Sequence, residues 1–176
     1  MTGAPQGTFE PEFSCLVNQL ALKGLFRFGR AGLFSDFNGC GWIATYNLFR
    51  LLGKNAQPEE VLHRMEPGTL FGGRLGVWPF AVSKCLKRDG LFARWHFVWP
   101  WSKKLKTYPL GAALVLNRRG LHYVAYRRLA DGAYQFYNER QGDMRDVRPF
   151  ADFLKQQRAC VLMLEVAQRK AARQKI

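Results

Sequence analysis

From Trp42 to Leu52 the sequence WIATYNLFRLL places apolar side chains on nearly every side of a helix, and only the interior of a protein accommodates such a helix. The stretch that contains it, NGCGWIATYNLFRLLGK from Asn38 to Lys54, therefore constrains the fold more than any other: the rest of the chain must cover it. Gly53 supplies a C-cap. At the other end Cys40 stands between Gly39 and Gly41, at the helix N-terminus. Unpaired backbone N–H groups and the positive end of the helix dipole favour an anion there, so the thiolate is stabilised and the cysteine becomes a nucleophile. The two glycines, lacking side chains, are expected to let another molecule's backbone approach the sulfur and to let the chain turn into the helix. The alternative is a tight turn whose cysteine is buried for packing alone, and this stretch by itself does not separate the two.

Around that helix the chain divides by pattern. Residues 1–12, with Pro5, Gly7 and Pro11, read as an irregular N-terminal arm. Phe13, Leu16, Val17 and Leu20 recur at helical spacing and predict a short helix ending at Lys23-Gly24; LFRFGRAGLFSDF, from 25 to 37, predicts a loop or short hairpin. After the central helix, Pro58-Glu59-Glu60 opens a helix that stops before Pro67, and a third begins between Val77 and Pro79 and ends at Asp89-Gly90. Strands are predicted over LFARWHFVWPW, Gly111 to Leu116, Leu121 to Arg127 and Ala133 to Asn138; a short helix over PFADFLKQQ and a strand from Cys160 to Val166 follow. Helices first, then an antiparallel set of strands, is an α+β order: a buried helix from the N-terminal half packed against a C-terminal antiparallel sheet. Residues 13–167 are expected to form a single domain and 168–176 a basic tail.

Neither a signal peptide nor a stretch of ~18 uninterrupted apolar residues occurs, so a soluble, cytoplasmic protein without a transmembrane segment is expected. The four cysteines are far apart and form no C-x-x-C pair, which fits free thiols; Cys15, Cys85 and Cys160 read as packing residues, and no metal or cofactor is expected. The net charge of +14 favours acidic partners or polyanions. The basic residues are scattered, however, and only the tail carries an undiluted run, so no specific nucleic-acid binding is expected.

A nucleophilic cysteine needs a base, and three histidines supply every candidate. His63 lies on a predicted helix and His96 among aromatic residues, both with structural readings. His122 opens the strand HYVAYRR, and the next strand is AYQFYNE. A five-residue connection from Arg128 to Gly132 pairs Tyr126 with Tyr134, Val124 with Phe136 and His122 with Asn138, close enough for the imidazole to bond a side-chain amide. A two-residue Asp131-Gly132 turn instead places His122 across from Gln141. The first register is favoured because it collects apolar residues on one face.

A cysteine opening a buried helix, then a histidine at a strand start, then Asn138 sixteen residues on, resembles the papain-like cysteine peptidases, in particular the bacterial C39-like group. NGCGWIATYNLFRLLG is similar to that group's cysteine helix, GVWPFAVSKCLKRDG to its following helix, and GLHYVAYRRLADGAYQFYNE to its histidine and Asn/Asp strands; the resemblance covers about residues 36 to 166. The resemblance implies a papain-like α+β fold, Cys40 as nucleophile, His122 as base and acid, and Asn138 as the group that orients it. The family commonly carries a glutamine about six residues before the cysteine to donate to the oxyanion. Phe34 stands there, so either the nearby amide of Asn38 replaces it, the Cys40 backbone N–H acts with some other donor, or the oxyanion hole is incomplete.

Three functions compete on this basis. The first is a thiol hydrolase or acyltransferase, most simply a cysteine peptidase, acting on amide bonds of a peptide or protein through a Cys-His-Asn triad. The second is a catalytically impaired papain-like module that binds peptides, and Phe34 is its signature. The third is a basic nucleic-acid or membrane-surface binder that uses WHFVWPWSKK for stacking.

Overall fold

In the computed structural model, residues 9–10, 13–98, 107–118, 120–138 and 146–169 are described. The helix over Cys40–Leu51 (here α2, after the short α1 at Ser35–Asn38) is the axis of the molecule, and every residue from Gly41 to Phe49 is buried. Enclosing side chains such as Trp42, Ile43, Leu48 and Phe49 contributes about 1.5–3 kcal/mol each, which is what draws the other elements around it. Thr45 and Asn47, buried in its middle, are both satisfied: Thr45 Oγ1 donates to Gly41 O at 2.9 Å, and the Asn47 amide is taken up by the N-terminal segment. The helix ends at Leu51, and Gly53 just beyond it, with φ +72°, turns the chain away.

The N-terminal segment departs from expectation. Instead of a helix over 13–24 it forms a two-residue strand, β2 (Cys15–Leu16), paired with β1 (Phe9–Glu10), then a 3₁₀ turn over Gln19–Leu22. Asn47 explains the difference. Its Oδ1 accepts from Leu16 N at 2.7 Å and its Nδ2 donates to Leu16 O at 2.8 Å, so both main-chain groups of Leu16 are withdrawn from any helical ladder. Ser14, at φ +54°, breaks the helical path just before. Asn18 Oδ1 then caps the 3₁₀ turn at Leu20 N, 3.0 Å. The expected hairpin is β3 (Arg27–Phe28) against β4 (Leu33–Phe34), leading directly into α1.

Helices α3 (Pro58–Met65) and α4 (Pro79–Arg88) begin at the predicted prolines and pack against α2. A six-stranded sheet covers the other side, in the order β5-β10-β6-β7-β8-β9, with every neighbouring pair antiparallel. Its strands are β5 (Leu91–Phe97), β6 (Leu110–Asn117), β7 (Gly120–Arg128), β8 (Tyr134–Tyr137), β9 (Asp146–Arg148) and β10 (Ala159–Gln168). One apolar cluster lies around α2 and reaches the sheet through Ala112, Leu114, Tyr123 and Ala125. A second gathers Val115, Val124, Tyr126, Phe136 and Met163 with Phe150 and Phe153 of α5 (Phe150–Lys155). The α+β layering is therefore as the sequence predicts.

The register between β7 and β8 is neither of the two expected. Tyr126 pairs with Phe136 and Ala125 with Tyr137, where the ladder ends. Leu129 N donates to Ala133 O at 2.8 Å across a three-residue loop in which Gly132 adopts φ +87°. A three-residue hairpin with its last residue left-handed is a common solution, and glycine at that place favours it. The shift from the favoured register is two residues, so the alternation of buried side chains survives intact. Every partner moves by two residues, and His122 lies beyond the end of the ladder rather than across from Asn138.

Candidate functional site

Cys40 opens α2 and is half-buried at the junction between the helix and the sheet. The glycines beside it serve packing inside the protein rather than access from outside. A Cβ on Gly41 would stand 2.9 Å from Val77 Cβ and 3.5 Å from Tyr123, and one on Gly39 would meet Ser35 and, at 2.8 Å, the Trp42 indole nitrogen. The helix start is thus pressed against the segment before α4 and against β7. Tyr123 fixes that contact by donating its hydroxyl to Val77 O at 2.9 Å.

The same approach brings His122 to the cysteine. Its imidazole hydrogen-bonds the Cys40 thiol, and the backbone N–H groups of Tyr123 and Gly41 also point at the sulfur. Burial pushes the thiol's pKa up, but the hydrogen bond and charge of His122 and those two N–H groups outweigh it, and the net shift is downward. His122 Nε2 lies 2.7 Å from Asn138, though from its backbone carbonyl and not its side chain. A carbonyl only accepts, so Nε2 carries the proton and the other ring nitrogen is left as a base facing the thiol. Asn138 sits just past β8 at φ +66°, a left-handed conformation that asparagine tolerates better than most residues. That turn of the backbone takes its carbonyl out of the ladder.

Asn38 does not serve as the expected oxyanion donor. It is buried, and its Nδ2 donates to Gly73 O at 2.8 Å and Phe28 O at 3.2 Å, so both amide hydrogens hold neighbouring loops. Phe34 supplies no substitute, since its ring lies under the Arg27 guanidinium at 4.4 Å. The glutamine in this site comes from elsewhere in the chain. Gln19, held at the start of the 3₁₀ turn, donates from Nε2 to Ser35 O (2.9 Å) and Asp36 O (3.0 Å), and accepts at Oε1 from Asn138 Nδ2 (3.0 Å). Its backbone N–H donates to Asn138 Oδ1 at 2.8 Å. No local signal marks this residue, because its partners are 16 to 119 positions away.

These groups line one cleft of about 720 Å³, with Cys40, His122, Asn138 and Gln19 in its wall. Phe37, 71% exposed, and Leu121, 62% exposed, also line it. The other histidines have structural partners: His63 with Glu66 at 3.5 Å, and His96 with Glu165 at 3.1 Å while stacked on Tyr108. Trp95 packs against Tyr123 and donates to Pro79 O at 2.7 Å, as a core residue does. Trp99, Trp101 and the lysine knot at 103, 104 and 106 lie outside the described residues.

No family model matches the sequence, and no curated protein matches it in sequence. Among solved structures the chain is similar to the peptidase domain of Streptococcus ComA, a bi-functional ABC transporter of a quorum-sensing pathway. The TM-score is 0.51 and the identity 14%, over 74% of this chain and 91% of that one. It is similar also to a double-glycine-motif protease from an AMS/PCAT transporter, solved in complex with a leader peptide, with a TM-score of 0.51 and 18% identity over 72% and 82% of the two chains. The fold is that of the C39 papain-like peptidase domains. At such identities the likeness extends to architecture alone. No helix among the described residues is long and apolar enough to cross a membrane.

Proposed function

We propose that this chain is a cysteine peptidase or closely related thiol hydrolase that acts on peptide amide bonds. The observation that carries the reading is the meeting of Cys40 and His122, with the imidazole tautomer set by the Asn138 carbonyl. The fold shared with cysteine peptidase domains supports it. Cys40 is the nucleophile: its proton passes to the ring nitrogen of His122 that faces it, and the sulfur attacks the carbonyl carbon. The negative charge forming on the carbonyl oxygen is met by backbone N–H at the α2 terminus, where helix geometry leaves donors over. His122 then returns the proton to the leaving amine, and a water activated by the same nitrogen releases the acid from the thioester. Phe37 and Leu121 give the cleft apolar contacts suited to an extended peptide.

The lack of an amide at position 34 lowers the expected turnover, since one oxyanion donor is commonly worth ~10²–10³ in rate. It is also the observation that favours the second reading, a module that binds peptides without cleaving them. A fluorogenic peptide library with mass-spectrometric detection of the thioester separates the two. Hydrolysis that falls by ~10²–10⁴ in both Cys40→Ala and His122→Ala is expected. Peptide binding with neither hydrolysis nor thioester in the wild type would leave the binding module as the function.

A further inference from the structure

We propose that Gln19 is a positioning residue that sets the spacing between His122 and Cys40 by joining the two walls of the cleft through its side-chain amide. The inference rests on the catalytic reading above. One wall is the sheet, where Asn138 holds His122; the other is α1, the turn that delivers the chain to Cys40. Gln19 Nε2 spends its hydrogens on Ser35 O and Asp36 O of that turn, and Ser35 O also receives Gly39 N at 2.9 Å, one residue before the nucleophile. Its Oε1 and backbone N–H take both ends of the Asn138 amide. The hydrogen bonds thereby close a ring: α1, Gln19, Asn138, His122, Cys40 and back to α1.

The ring gives the Asn138 side chain a task that differs from the expected one. Its amide bonds Gln19 and so fixes the rotation of a left-handed residue whose carbonyl accepts from His122; locking the side chain on Gln19 locks the direction in which the carbonyl points. Gln19 itself is anchored from behind, because β2 is docked on the Asn47 amide within α2, the same helix that carries Cys40. An error in the position of Gln19 therefore moves His122 relative to the sulfur. A hydrogen bond to the thiolate weakens steeply with such a movement.

The test reads the pH dependence of Cys40 alkylation by iodoacetamide in the full chain, by mass spectrometry of the Cys40 peptide. Gln19→Met keeps the volume and the backbone N–H bond to Asn138 but removes the three side-chain bonds. It should raise the midpoint by up to about one pH unit, a loss of up to roughly tenfold in rate below both midpoints. Asn138→Gly cuts the same link from the other end while accepting the positive φ and keeping the carbonyl, and should shift the midpoint the same way. A purely structural role lowers the melting temperature without moving the midpoint. If either folded variant keeps the wild-type midpoint while His122→Ala raises it, the Gln19 inference is overturned and the catalytic reading stands. If the wild-type midpoint is that of an ordinary thiol and His122→Ala leaves it there, both are overturned.

Discussion

Cys40 and Cys160 are both half-buried, one at a helix start against the sheet and the other within it, yet their thiols are displaced in opposite directions. On β10, Cys160 is paired with Val115, touches Leu162 O at 3.8 Å and packs beside the second apolar cluster; burial pushes its pKa up to about 12. Burial pushes Cys40 up too, but there an imidazole and two backbone N–H groups reverse the outcome. Cys85 shows that a nearby cation is not sufficient. Arg64 pulls its pKa down through space, and burial still wins. What separates the lowered thiol from the raised ones in this molecule is directed hydrogen bonding at a helix terminus, not exposure.

The largest way to break that comparison is differential labelling. A thiol with a pKa of about 12 is thiolate to only about one part in 10⁵ at pH 7, so Cys160 should be nearly inert to iodoacetamide in the native protein while Cys40 is labelled faster by several orders of magnitude. Removing His122 deletes the largest opposing influence and leaves burial dominant, so His122→Ala should carry Cys40 toward the behaviour of Cys160. Labelling of the two cysteines at similar rates in the folded wild type would erase the distinction.

A smaller effect sharpens it by separating scaffold from chemistry within one short stretch. Asn38 lies two residues before Cys40, but its amide holds Phe28 O and Gly73 O. Truncation removes both of these buried hydrogen bonds, so Asn38→Ala should cost about 1–3 kcal/mol in denaturant unfolding. The pH midpoint of Cys40 alkylation should stay where it is. A midpoint that moves in a fully folded Asn38→Ala protein would return Asn38 to the cleft.

How much of this was legible depended on whether the controlling contact was local. The central helix, the proline-initiated helices and five of the six sheet strands followed from sequence pattern, because burial of one face leaves a pattern in neighbouring residues; the three-residue β9 left too short a pattern to read. Cys40 and His122 were legible as candidates because so few residues could fill those roles. The β7–β8 register was missed because a three-residue loop with left-handed Gly132 competes with turns of other lengths on almost equal terms. The helix expected over 13–24 does not form because Asn47, some thirty residues later, captures the Leu16 backbone. The expected orienting bond from the Asn138 amide turned out to come from its carbonyl, a group every residue carries and no residue type advertises. Gln19 is hidden for the opposite reason: it is far from the cysteine in sequence and reaches the site from another element.

The smallest expected effect concerns stability at alkaline pH, where the two thiols tilt the curve in opposite senses. An unfolded cysteine titrates at about 8.5. Cys160 is raised in the folded state, so between that value and about 12 the unfolded chain gives up a proton that the folded chain retains. The unfolded state then binds fewer protons than the native one, and stability falls as pH rises through this window. Cys40 is lowered when folded, so its contribution is fully present above the unfolded value and is lost as pH falls through the folded one. Cys160→Ala should therefore flatten the alkaline limb by up to one proton and leave the slope near neutrality unchanged. Cys40→Ala should leave the alkaline limb alone and flatten the limb just below pH 8.5. Tyr46, raised by burial to about 12, adds an alkaline slope common to all the variants and cancels in the difference. Denaturant unfolding at intervals from pH 6 to 11 measures these slopes. Parallel curves for the wild type and Cys160→Ala above pH 9 would mean that Cys160 ionises freely in the folded protein, and the contrast with Cys40 would then rest on reactivity alone.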